Sequence, residues 1–303
     1  MKKISLMIAF LAIVQWAMAQ VVQVTSIDKL DIPQSEETAD VVAIAPQGDY
    51  VLLSSPSHKG LVKFDLATKR HTTLTEAEGA GYNAQITADG KNVVYREKTI
   101  NDEHLVFTAV KQMNINTRQA TTLVAPTREL QAVAVEGATA MTVTNKKMNA
   151  RALRGNATVT RPVISSEDLH LYLTINGETT LFAPNGTDVN YIWPSLSPDG
   201  KRVLYYVSGM GCFVCNIDGT NIIELGILRA PQWLNDDVVV GMRDEDDGMM
   251  VTASSIIAKT LTGTEQVLTS RDVIAMYPHA TTAGDKIAFS TPDGEAYLIQ
   301  LQK

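Results

Sequence analysis

The segment Tyr191-Ile192-Trp193-Pro194-Ser195-Leu196-Ser197-Pro198-Asp199-Gly200-Lys201-Arg202-Val203-Leu204-Tyr205-Tyr206-Val207 decides the fold. Two runs rich in β-branched, aromatic and aliphatic residues flank Pro198-Asp199-Gly200. Proline presets φ at the first corner, aspartate bonds its own backbone, and glycine accepts the positive φ of a strand reversal. This pattern predicts a β-hairpin. A third strand over 212–217 ends at Asp218-Gly219 and a fourth follows over 222–225, which completes a four-stranded antiparallel unit.

The unit recurs. It is repeated over 41–74 around Pro46-Gln47-Gly48-Asp49, over 82–124 around Ala88-Asp89-Gly90-Lys91, over 231–268 around Asn235-Asp236-Asp237, and over 277–301 around Ala283-Gly284-Asp285-Lys286. A weaker copy opens over 130–144 around Glu136-Gly137 and resumes over 169–182. Gly48, Gly90 and Gly137 are spaced near the roughly 40–45 residues of a four-stranded propeller blade. The interval from Gly137 to Gly200 is longer and reads as one blade with an insertion at about 145–160, since it is too short for two full blades. The last copy leaves little room for a fourth strand, and 21–27 is an unassigned strand. Pairing the two closes the ring and removes open sheet edges. The expected fold is an all-β, six-bladed propeller of four-stranded blades in one domain over 20–303, and no helical period of useful length competes with it.

Ser197-Pro198-Asp199-Gly200-Lys201 with the later Asp218-Gly219 resembles the WD-like propeller repeat of the TolB family. Thr87-Ala88-Asp89-Gly90-Lys91 and Thr282-Ala283-Gly284-Asp285-Lys286 match it in part. The resemblance covers nearly all of the chain after the leader. It implies an architecture shared by scaffolds, peptidase accessory domains and lyases, and so implies no single activity. The chain departs from TolB in that residues 20–40 leave no room for the α/β domain that precedes the propeller there. It also lacks the Gly-x-Ser-x-Gly elbow on which prolyl-type peptidases with related propellers rely.

Lys2 and Lys3, the apolar run 4–16, and Ala17-Met18-Ala19 before Gln20 have the three-part layout of a secretory signal peptide, expected to end near Ala19-Gln20. The apolar run is shorter than the roughly 20 residues needed to span a bilayer, so no membrane insertion is expected. Gln20 in place of cysteine removes the thiol of a lipid anchor. The expected location is the periplasm, or outside the cell. The chain has 26 basic and 33 acidic residues; losing the leader removes two lysines and no acids, giving a formal charge of −9. With no basic run, such a surface does not attract phosphate backbones, which excludes nucleic acid.

Cys212 and Cys215 have redox-motif spacing but fall in a predicted strand. Three residues of rise separate them by roughly 10 Å and turn them to opposite faces. A disulfide needs Cα atoms within about 7 Å, so two separately buried thiols are expected, with a redox or metal role as the alternative.

Tyr82, Trp193 and Tyr277 fall at the start of the first strand of their units, with Trp233 slightly deeper. They can line a tunnel mouth that holds a peptide or a sugar, or pack between blades. The same end carries Arg243-Asp244-Glu245-Asp246-Asp247-Gly248, as an ion site or a solvated turn, and the insertion with Lys146, Lys147, Arg151, Arg154 and Arg161, as partner contact or plain surface loop. His58, His104 and His279 can approach the mouth, whereas His71 and His170 do not. No nucleophile with an evident base, phosphate loop or metal-spacing motif is readable, so no catalytic residue, cofactor or metal is expected. The functional expectation is a non-catalytic envelope module that binds a protein or peptide, as a monomer or in a hetero-complex. The alternative is a carbohydrate-binding or carbohydrate-active propeller that uses Trp193 and His279 at the mouth.

Overall fold

The computed structural model describes residues 20–32, 40–153 and 161–302; the leader and Arg154 lie outside them. Every regular element there is a strand. The first sheet is β2 (Asp40–Ile44), β3 (Tyr50–Ser54), β4 (Leu61–Asp65) and β5 (His71–Thr75), entered after β1 (Val24–Lys29). The second is β6 (Gln85–Ile86), β7 (Asn92–Ile100), β8 (Val106–Asn114) and β9 (Ala120–Thr127). The third comprises β10 (Leu130–Glu136), β11 (Thr139–Thr144), β12 (Lys147–Ala152), β13 (Val163–Glu167), β14 (His170–Ile175) and β15 (Glu178–Phe182). The fourth is β16 (Tyr191–Leu196), β17 (Arg202–Val207), β18 (Gly211–Asn216) and β19 (Ile223–Gly226). The fifth is β20 (Arg229–Trp233), β21 (Val238–Asp246), β22 (Val251–Thr260) and β23 (Glu265–Val267). The sixth is β24 (Met276–Ala280), β25 (Lys286–Ser290) and β26 (Ala296–Leu301).

These six antiparallel sheets form a β-propeller. The expected closure is present: β1 pairs with β26, Ile27 opposite Ile299 and Lys29 opposite Tyr297, so the N-terminal strand supplies the outermost strand of the last sheet. Val21 and Val22 donate their amides to Gln266 Oε1 at 2.7 and 2.9 Å, which fixes the entry of that strand.

The third sheet corrects the expectation of four strands and an insertion. It has six strands in the order β10-β11-β12-β15-β14-β13, and 147–152 is strand β12 rather than an excursion. Residues 154–160 of the expected insertion lie outside the described residues. The two halves meet through one register pair, Lys147 opposite Glu178. That single pair joins the outer edges of two three-stranded halves. Both β10 and β13 face the axis. Going round the ring, β2, β6, β10, β13, β16, β20 and β24 each lie beside the next, so six sheets present seven innermost strands.

The core follows the same arithmetic, with an apolar cluster at each junction. Val41, Phe64, Ala288 and Leu298 join the last sheet to the first. Ala132, Met141, Val143 and Val163 fill the seam inside the third sheet. Cys215 packs with Leu171, Val203 and Tyr205 on one side of the fourth sheet, and Cys212 with Leu204, Val239 and Ile257 on the other. Both cysteines are free and fully buried, and burial pushes both thiols up to about 12. The strand alternation that argued against a disulfide is therefore what the fold contains.

The hairpin turn works by local bonding. Ser197 Oγ donates to Asp199 Oδ1 at 2.6 Å, the Lys201 amide donates to the same oxygen at 3.0 Å, and the Arg202 amide donates to Ser197 Oγ at 3.0 Å. Gly200 takes φ 73°. Thr87, Asp89, Lys91 and Asn92 repeat these bonds in the second sheet at 2.7, 3.0 and 3.0 Å.

Candidate ligand-binding mouth

In an antiparallel meander, the start of the first strand, the end of the second and the start of the third share one end, here called the top. There the inner strands of the last three sheets carry a bulge each, with register shifts at Ile192/Ser195, Arg229/Gln232 and Met276/His279. Within these bulges Trp193, Ala230 and Tyr277 adopt φ of 52°, 45° and 52°. Pro194, Pro231 and Pro278 follow them. A proline at a bulge leaves no orphan N–H, so the irregular backbone costs no hydrogen bond. Asn83 takes φ 50° just ahead of β6.

The bulge belongs to the repeat, whereas the side chain on it is chosen blade by blade. Asparagine tolerates left-handed φ, while a bulky residue there is an outlier that costs on the order of 1–3 kcal/mol. Trp193 and Tyr277 nevertheless present 38% and 44% of their surface, and Tyr82 51%. Trp193 meets Tyr206 edge-on with centroids 5.5 Å apart, and the Tyr277 amide donates to Met242 Sδ of the preceding sheet at 3.5 Å. All three rings are therefore exposed at the top end. Trp233 follows the bland reading: it is half-buried between the fourth and fifth sheets, and its Nε1 is sealed without a partner.

His279 is a pin rather than a mouth residue. It is half-buried beside the main chain of Val41 on the adjoining inner strand, and burial pushes its pKa down to about 4. Nearby, the Val41 amide donates to Ser290 Oγ at 2.7 Å. His104 sits exposed at the β7–β8 turn. His58, in the β3–β4 loop, stands edge-on to Tyr82 with centroids 5.5 Å apart.

The acidic run is not a loop. Asp244, Glu245 and Asp246 lie in β21. Asp244 turns inward to Arg229 at 2.6 Å, Glu245 reaches Arg271 at 3.3 Å, and Asp246 and Asp247 accept turn amides, Gly248 to the former, Met249 and Met250 to the latter. Among the described residues no group of three or more His, Cys, Asp or Glu side chains is placed to hold a metal ion. Two of the basic residues of the expected insertion, Arg151 and Arg161, are likewise tied down. Arg151 donates to Thr122 O at 2.9 Å across to β9, and Arg161 bonds Glu136 and the Pro198 carbonyl.

Sequence reasoning missed Arg229 and Arg96, and it read Asp244 as part of an ion site or solvated turn rather than as the buried partner of Arg229. Arg96 occupies in β7 the place that Tyr206 occupies in β17, three residues past equivalent positions Val93 and Val203; aligning the hairpins could have found it. It is 9% exposed and donates from Nη1 to Tyr82 O at 3.2 Å and Asn83 O at 3.4 Å, which holds the chain entering β6.

No family model matches the chain, and no curated protein matches it. Among solved structures it is similar to U3-55K, with TM-score 0.64, 8% identity, and coverage of 92% of this chain and 100% of that one. A chain of the mitotic checkpoint complex gives TM-score 0.58 at 9% identity, covering 99% of each. Oligogalacturonate lyase in complex with manganese gives TM-score 0.49 at 14% identity, covering 86% of this chain and 76% of that one. At these identities the likeness concerns the fold alone.

Proposed function

We propose that this protein is a non-catalytic binding module of the bacterial cell envelope, exported by its leader, whose top mouth holds a segment of another polypeptide. The observation that carries this reading is the pair Trp193 and Tyr277, large rings held exposed on left-handed bulges where Ala230 meets the same backbone requirement without a ring. Exposed rings on a strained backbone suit a recognition surface, where Tyr and Trp dominate energetically. The titratable groups around the rings are engaged structurally, Arg229 paired with Asp244 and His279 half-buried beside β2, which favours binding over catalysis.

The test is affinity recovery from crosslinked envelopes with the tagged mature chain and its Trp193→Ala/Tyr277→Ala variant. The expected result is a stoichiometric polypeptide partner recovered by the parent and lost by the variant, with the far-UV circular dichroism of the two unchanged. Equal recovery by both would remove the mouth from the reading. Recovery of no polypeptide, with binding of a glycan instead, would replace it with the carbohydrate alternative.

A further inference from the structure

Three basic side chains converge on one exposed ring. Arg96 and Lys98 are two residues apart on β7, so strand alternation puts both on one face. The Arg96 guanidinium lies 5.4 Å and Lys98 Nζ 5.7 Å from the centroid of Tyr82, whose edge meets His58. Tyr82 comes from the segment entering β6 and His58 from the β3–β4 loop, so the cluster exists only because the first two sheets are adjacent.

Arg96 is buried, yet among the described residues no carboxylate lies within ion-pair distance of it. Its two hydrogen bonds, both from Nη1, leave Nε and Nη2 without a protein acceptor. His58 Nδ1 is buried without a hydrogen-bond partner. A buried charge normally has a counter-ion, because desolvation costs several kcal/mol otherwise. The surrounding acids are committed elsewhere. Glu97, on the other face of β7, pairs with Lys111 at 2.7 Å, and Glu78 pairs with Lys59 at 3.4 Å. Burial raises the pKa of Asp40, which lies within reach of His58 and does not pair with Arg96 or Lys98.

We propose that Arg96, Lys98, His58 and Tyr82 form an anion site that takes a carboxylate of the polypeptide partner. This rests on the polypeptide-binding reading above and names the group recognised. Nε and Nη2 form one edge of the guanidinium, the edge that both oxygens of a carboxylate bridge. Lys98 supplies a second charge from the exposed side, and the Tyr82 ring a flat wall for the chain that carries the carboxylate.

The experiment is calorimetric titration of the mature chain with a hexaglutamate and a hexaglutamine peptide at one ionic strength. Hexaglutamate is expected to bind on the order of tenfold or more tighter than hexaglutamine. Because Arg96 also holds main-chain carbonyls and Arg96→Gln can fail to fold, exposed Lys98→Gln and Tyr82→Ala carry the test, each weakening hexaglutamate binding by roughly fivefold or more. Binding by Lys98→Gln and Tyr82→Ala equal to the parent overturns the site, as does equal binding of the two peptides or binding of neither. Binding of a uronate oligosaccharide with both peptides silent overturns the polypeptide source. If envelope recovery falls for Trp193→Ala/Tyr277→Ala but not for Lys98→Gln, the anion site is wrong and the binding reading stands.

Discussion

Arg229 Nη1 lies 2.6 Å from Asp244 Oδ2, and the Asp244 side chain is 2% exposed while that of Arg229 is 41% exposed. Asp244 Oδ1 is buried with no other partner, so the pair is asymmetric. Removing the arginine strands a buried charge, whereas removing the acid frees a cation that water can reach. Arg229→Ala should therefore cost about 2–3 kcal/mol in urea unfolding and Asp244→Asn less. Equal losses for the two would contradict the asymmetry.

Tyr277→Asn should change stability and binding in opposite directions. Asparagine accepts left-handed φ where tyrosine is strained, so the unfolding midpoint should rise by the equivalent of about 0.5–1 kcal/mol. Ligand binding at the mouth should fall in the same variant. A loss of stability would show that the ring is held for packing.

His279 gives stability a pH dependence of defined sign. Its folded pKa of about 4 lies below the ordinary 6.5, so between these values the unfolded chain binds more protons. The contribution is complete above pH 6.5 and is lost as pH falls toward 4, up to about 3 kcal/mol in all. Chemical denaturation of His279→Gln across that window should be flatter than that of the parent. Asp199, held near 2 by Ser197 and the Lys201 amide, acts with the same sign in a lower window, from its ordinary 3.8 down.

Cys212 and Cys215, buried with thiols pushed up to about 12, should resist a thiol reagent at pH 8 in the folded chain. Both should label at the same rate, set by global unfolding, as urea is added. Fast labelling of one alone would reveal local opening of β18.

The sequence by itself determined the repeat, the turns and the separated cysteines, because each rests on short-range chemistry, and the closing strand, because a short last unit and an unassigned strand at the start leave two edges that cover each other. Ser197, Asp199 and Lys201 bond within one turn, and alternation alone sends Cys212 and Cys215 into different junctions. What only the tertiary structure decided depends on which distant strands meet. That β12 pairs with β15 through Lys147 and Glu178 turned an expected insertion into half of a six-stranded sheet, and nothing local to either strand announces it. Asp244 reads as part of an acidic tip until β20 brings Arg229 beside it. His279 reads as a mouth residue until β2 arrives to bury it. The cluster at Tyr82 draws on three segments, 58, 82 and 96–98, whose proximity is a property of the ring. A side chain's charge and size are written in the chain; whether it meets water, a counter-ion or a neighbouring strand is settled by packing, and that is where the candidate site was made.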